Sequence, residues 1–248
     1  MAFIFTTNNK VEKPFTIVLD AGHGGKDPGA MSTGLKEKDI ALHIALKIGK
    51  LIQDSMPEVK VLYTRSTDVF VELHERSNFA NKNKADIFMS IHCNASTNST
   101  AEGTETFVMG LHKNEGNLEV AKRENAAILL EENYQDNEKY GGFDPNSPVG
   151  HIIFSMFQNA FLSKSLEMAS EIESEFVKQT QMKSRGVKQA GFLVLWKSSM
   201  PSVLIETGFI SNPKDRNIMN SVEGQQKIAQ SVFNAFKVYY NQNKAKTN

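Results

Sequence analysis

The chain has 248 residues, enough for one α/β domain of ordinary size and short of two full ones. Its 40% hydrophobic and 23% charged residues are those of a globular chain, and Lys plus Arg balance Asp plus Glu at 28 each. That balance argues against a general polyanion binder, so no nucleic-acid partner is expected. The single Cys excludes an intrachain disulfide and a Cys-rich zinc finger.

Residues 1–14 read as an N-terminal tail, followed by one α/β domain over 15–245. AFIF near the start has no basic segment ahead of it and is not a secretory signal as written. No run reaches the roughly 18 to 20 apolar residues of a transmembrane segment. From Thr16 onward, short apolar runs alternate with longer periodic ones. TIVLD (16–20) reads as a buried strand stopped by glycines. Residues 38–53 carry Ile40, Ile44, Ile48, Leu51 and Ile52 at spacings of three and four, which predicts a helix. VKVLYT (59–64) predicts a strand, 71–83 a helix, and DIFMSI (86–91) a buried strand. TETFVM (104–109) alternates and predicts an edge or half-exposed strand. Further strands are expected at 187–195 and 202–206, and an amphipathic helix at 224–241.

This alternation predicts a mostly parallel twisted sheet with helices on both faces. Residues 110–175 hold no strand signal and read as a helical insertion on that core. It has a helix at 118–132, a Gly- and Pro-bearing loop at 133–150, and a Phe-rich segment from 152 that continues as helix to about 176.

Chemistry concentrates at three strand ends. His23 follows the first strand in LDAGHGGKDPGA, His92 follows DIFMSI, and Glu206 follows SVLI. Sites in open parallel sheets gather at the carboxyl ends of strands, so these residues can converge despite their separation in sequence. Glu37 opens the helix that leaves the same end. Two His and one Glu with an open fourth position form a catalytic zinc set, and a second Glu nearby can move protons. Asp20 either orients His23 or caps the glycine turn. Nothing places His43, His74, His112 or His151 at a strand end, so they read as ordinary histidines, and Cys93 reads as an inert small residue.

LDAGHGGKDPGA, KEKD, SIHCNAS and PSVLIETGFISN, in that order, resemble the signature segments of the zinc-dependent N-acetylmuramoyl-L-alanine amidases, the amidase 3 family. The resemblance runs from Thr16 to about Tyr240. It implies one zinc ion held by His23, Glu37 and His92, with Glu206 as general base and acid. The reaction implied is hydrolysis of the peptidoglycan amide between the lactyl group of N-acetylmuramic acid and L-alanine, in the periplasm or outside the cell.

The 110–175 segment resembles the regulatory insertion of the division-associated members. There a helix covers the metal until an activator protein withdraws it. On that resemblance Glu131 or Glu132 is expected to block the metal, and IIFSMF (152–157) to offer the activator an apolar face. Two alternatives stand beside this reading: a zinc peptidase acting on wall peptides, and a non-catalytic peptidoglycan-binding relative. The intact quartet of site residues speaks against the second.

Overall fold

The computed structural model describes residues 13–132, 134, 137–144, 147, 149–150 and 160–245. The first strand, β1 (Thr16–Ala21), is buried along its whole length, as a run without polar alternation requires. It lies inside a six-stranded sheet whose order is β4-β1-β5-β8-β6-β7. The other strands are β4 (Lys60–Tyr63), β5 (Ile87–Asn94), β6 (Thr104–Met109), β7 (Ser184–Ala190) and β8 (Ser202–Phe209). A two-stranded ribbon of β2 (Met31–Ser32) and β3 (Leu35–Lys36) sits in the first glycine-rich loop. Strands β4, β1, β5 and β8 run parallel, β6 is antiparallel to β8, and β7 is parallel to β6.

One face of the sheet is covered by α1 (Glu37–Ser55), α5 (Leu162–Gln179) and α7 (Val222–Ala245). Ile40, Ile44, Ile48 and Ile52 of α1 pack there with Met168, Ile172 and Phe176 of α5 and Ile228, Val232 and Phe236 of α7. On the other face lie α2 (Leu73–Lys82), α3 (Glu115–Asn125) and a 3₁₀ turn at Ala126–Leu130. Leu73, Ala80, Val120 and Ile128 meet Phe107, Phe192 and Leu195 there. A short helix α4 (Asn137–Tyr140) and α6 (Pro213–Asn220) complete the set of labelled helices. None of the described helices is long and apolar enough to cross a membrane.

The fold expected from the sequence is therefore observed, with local corrections. Strand β6 is not an edge: it lies between β8 and β7 and is buried throughout. Its alternation separates two covered faces, with Thr104 and Thr106 toward Glu173 of α5 and Phe107 toward Phe192. The strand expected at 187–195 ends at Ala190, and Leu193–Leu195 form a 3₁₀ turn. Helix α3 starts earlier than expected, where the Asn114 side chain accepts from Asn117 N and caps it, and it ends sooner, at Asn125. The second half of the 110–175 span belongs to the core, since α5 buries Met168, Ala169, Ile172 and Phe176 in the path linking β6 to its parallel neighbour β7. The IIFSMF segment, His151 and most of the tail lie outside the described residues.

Candidate metal centre

Register places the site residues. Asp20 on β1 pairs with Ser90 on β5, and His92 on β5 pairs with Glu206 on β8. Partners in register point to the same face, as do residues two apart along one strand. Asp20, Ser90, His92 and Glu206 therefore share one face at the carboxyl ends of three adjacent strands. The loop after β1 turns sharply there. Its Gly22 has no room for a side chain, because a Cβ would lie 2.4 Å from the His92 ring. His23 itself has a φ of 59°, a left-handed value that costs a non-glycine residue energy and aims its ring inward. Glu37 opens α1, where a carboxylate also meets the positive end of the helix dipole.

Four donor atoms meet at this point. His23 Nε2 lies 3.1 Å from Glu37 Oε1 and 3.1 Å from Glu124 Oε2. His92 Nδ1 lies 3.1 Å from Glu37 Oε1 and 3.0 Å from Glu124 Oε2. Ligands about 2.0 to 2.1 Å from one zinc ion would sit roughly 3.3 Å apart at tetrahedral angles, so the cluster is close to that size. His23 Nε2 and Glu124 Oε2 are buried without a hydrogen-bond partner, as atoms reserved for a metal would be. The residues fit a zinc ion in both donor type and spacing.

The outer nitrogens of both imidazoles are anchored. His23 Nδ1 donates to Asp27 Oδ2 at 2.7 Å, and Asp27 Oδ1 accepts from Gly29 N. On the other ring, Ser90 gives its hydroxyl proton to Asp20 Oδ2 at 2.6 Å, so it accepts from His92 Nε2 at 3.1 Å. These bonds leave His23 Nε2 and His92 Nδ1 as the lone-pair nitrogens. Asp20 thus acts on His92 through Ser90, rather than on His23 or the glycine turn. Its other oxygen accepts from Thr64 and from the buried Arg76, which also holds the carbonyls of Ala21 and His23. Glu37 is fixed by the backbone amides of Ala30 and Cys93. Burial alone would raise Glu37, but when no metal is held and His23 is protonated, the imidazolium beside it overrides that and brings it down to about 2. Burial pushes the Cys93 thiol up, keeping it uncharged.

Glu206 is fully buried beside this cluster. Its Oε1 lies 3.5 Å from Arg123 Nη2, and its Oε2 has no partner. Burial, with the Glu124 charge next to it, raises Glu206 well above the usual carboxylate range, while Arg123 pulls it back. It is a carboxyl able to hold a proton and release it.

The carboxylate that closes the cluster is Glu124, not Glu131 or Glu132. Helix α3 ends at Asn125, and the 3₁₀ turn after it carries the chain away from the metal position. Glu131 instead accepts from Leu73 N at 2.7 Å and from the Tyr140 hydroxyl at 2.5 Å, at the start of α2. Glu132 is exposed. Arg123 grips Glu124 Oε1 through Nε at 3.0 Å and Nη2 at 2.9 Å, and anchors to Ala95 O and Asn94 Oδ1. Sequence reading missed Glu124, Arg123 and Asp27. A signal for Glu124 exists: it falls on the buried helical stripe of Val120, Ala121 and Ile128.

Glu72, His74 and Glu131 also lie close together. Lys139 bonds Glu72 and Tyr140 bonds Glu131, so these acceptors serve a hydrogen-bond network at the start of α2.

The family model for N-acetylmuramoyl-L-alanine amidases, Amidase_3, matches residues 17–238. The chain belongs to this family. Among curated relatives, AmiA of Escherichia coli K12 is 34% identical over 219 residues, covering 87% of this chain and 73% of its own. AmiC of E. coli O6:H1 is 32% identical over 232 residues, covering 92% of this chain but only 54% of its own. The amidase thus spans about half of AmiC and about three quarters of AmiA. Among solved structures, an amidase from Clostridium difficile 630 and AmiC2 of Nostoc punctiforme each superpose with a TM-score of 0.67 at 26% identity. They cover 92% of this chain and 97% and 98% of their own. The amidase is a hydrolase of the peptidoglycan amide bond.

Proposed function

We propose that this amidase is zinc-dependent, with His23, Glu37 and His92 holding the ion and Glu206 moving the proton. It cleaves the amide between the lactyl group of N-acetylmuramic acid and L-alanine. The observation that carries this reading is the meeting of His23 Nε2, His92 Nδ1 and Glu37 Oε1 beside the unpartnered oxygen of a buried Glu206. A zinc ion there would polarise the scissile carbonyl and lower the pKa of water toward about 7. Glu206 Oε2 takes the proton from the attacking water and delivers it to the departing L-alanine nitrogen, a poor leaving group without it. Peptidoglycan lies outside the cytoplasmic membrane, and there the amidase works.

Glu124 acts as a plug on the fourth metal position, and Arg123 holds it there and screens Glu206. The orphaned Glu124 Oε2, 3.0 and 3.1 Å from the two imidazoles, supports this reading. Opening the site requires the Glu124 and Arg123 side chains to withdraw, alone or with the end of α3, the act expected of an activator protein. One fold neighbour is the CwlD amidase of Clostridioides difficile in complex with the GerS lipoprotein (27% identity, TM-score 0.65).

The test is amide cleavage on purified peptidoglycan with and without added zinc, comparing the natural chain with Glu206→Ala. New L-alanine amino termini that require zinc and vanish in the variant are expected. Zinc-loaded Glu206→Ala with undiminished release would overturn the assignment.

A further inference from the structure

The catalytic face continues past Glu206 as a row of charged residues. In register, His92 on β5 lies beside Glu206 on β8, and Glu206 lies beside Glu105 on β6. Strand β7 breaks its register opposite Glu105, between Ser184 and Val187, which sets Arg185 next to it. Glu105 is buried and carries two cations at once: Arg185 through Nε, and Lys188 Nζ at 2.8 Å. Asn94 also donates to it at 3.3 Å. Two cations on one carboxylate leave a net positive charge at the rim of the site. Arg185 also lies over the Phe209 ring, 5.2 Å from its centroid, which helps to hold it in place. With Nε on Glu105, its two Nη nitrogens have no partner among the described residues. Arg185 and Lys188 keep 34% and 20% of their side chains exposed, so the fork is preorganised yet open to a ligand.

We propose that Arg185 and Lys188, held by Glu105 and Phe209, form a subsite for a stem-peptide carboxylate and set the amidase's preference between acid and amide stems. This rests on the reading of Glu206 as the proton carrier for the amide bond. The glycan side of the scissile bond offers no free acid, whereas the peptide side carries an acidic second residue whose α-carboxyl is free or amidated. Arg185 stands two strands from Glu206, about 10 Å at the usual strand spacing. Two extended residues cover about 7 Å, and an arginine side chain spans the remainder. A planar guanidinium with a free edge accepts a carboxylate through two parallel bonds and cannot do so with an amide.

The experiment uses the zinc-loaded full chain carrying Glu124→Gln and two N-acetylmuramoyl tripeptides that differ only at residue two, D-glutamate or D-isoglutamine. The readout is the ratio of kcat/KM for the acid to that for the amide. A ratio of about 10 or more is expected, falling to near 1 in Arg185→Gln and Lys188→Gln. Because Arg185→Gln strips a cation from buried Glu105, it is also made together with Glu105→Gln, and the ratio should collapse there too. A ratio near 1 in the parent, or one kept in the variants, overturns the subsite. Should neither tripeptide be cut with zinc bound, either by this variant or by the natural chain, the amidase reading fails separately. The subsite is then judged by calorimetry with L-Ala-D-Glu-L-Lys and L-Ala-D-isoGln-L-Lys. Equal affinities reject it, and tighter acid binding lost in Arg185→Gln upholds it.

Discussion

Replacing Glu124 by Gln should turn the amidase on. The side chain keeps its shape, but the charge that Arg123 grips and that faces both imidazoles is lost. Bonds to charged partners contribute about 1.5 to 3 kcal/mol each. Arg123 is about a third exposed, so its two contacts with Glu124 belong at the low end of that range. At about 1.5 kcal/mol for each contact the plug weakens by about 3 kcal/mol, roughly a hundredfold in the ratio of closed to open forms, before the loss of a carboxylate at the metal position is counted. Helix α3 itself stays docked. Asn125 bonds Gly191 O and Leu193 N at 2.8 Å each, and Val120, Ala121 and Ile128 remain in the core. The assay is release of L-alanine amino termini from purified peptidoglycan, with one equivalent of zinc and no added protein. Turnover should rise by about one to two orders of magnitude, the ceiling being set when the open form predominates. A folded, zinc-loaded Glu124→Gln chain with turnover equal to or below that of the natural one would refute the plug and make Glu124 an ordinary ligand.

Other residues give separate outcomes. Asp27→Asn and Ser90→Ala each remove the anchor of one imidazole, and zinc affinity measured by chelator competition should fall about 10- to 100-fold. An unchanged affinity would show that the outer nitrogens do not matter here. Arg76→Leu leaves Asp20 charged and buried without its cation, at a cost of about 3 to 5 kcal/mol. In a chain of this size the melting temperature should drop by roughly 6 to 20 °C, and a fall of only a degree or two would contradict the pairing. Glu173 is raised above the usual carboxylate range by burial, although Ser184, Thr106 and Thr104 all donate to it. Its folded form therefore binds the proton more tightly than its unfolded form, and stability falls as pH rises from the ordinary carboxylate range through the raised value. Glu173→Gln should lose that slope, so its advantage over the natural chain in thermal melts should be greater at pH 8 than at pH 4.5. A gap that shrinks with rising pH would reverse the sign.

How much of this was legible in the sequence depended on whether a residue's environment was local. His23, His92 and Glu206 each follow an apolar run, and a parallel sheet turns that position into a shared edge. Glu37 was legible because the turn after β1 must bring α1 back to the same edge. Glu124 was not, since VAKRENAAILL reads as an amphipathic helix with its charges in solvent. Its spacing on the stripe of Val120, Ala121 and Ile128 was there to read, but the core that α3 packs on is what shows that this stripe is buried. Choosing Glu131 or Glu132 followed from expecting a continuous helix to 132. The change to 3₁₀ after Asn125 depends on Asn125 bonding Gly191 and Leu193, contacts that span more than 60 residues. Strand β6 failed for a related reason: alternation marks a difference between two faces, and here both are covered, one by the Glu173 hydroxyl network and one by Phe192.

The same logic says how the proposed plug would be released without dismantling the proposed metal centre. Glu37, His23 and His92 take their fixing bonds from Ala30, Cys93, Asp27 and Ser90, all on the β1–α1 loop or on β5. None of those bonds comes from α3. Glu124 and Arg123 reach the site from the insertion alone, through side chains, across a helix end held by Asn125, by Arg123 itself on Ala95 and Asn94, and by apolar contacts. Withdrawing them costs the core little and leaves three donors already oriented, with Glu206 beside them. A plug built from the ligand-bearing strands could not be released in that way. On the proposed reading, regulation would act on a part of this face that the sheet does not itself supply.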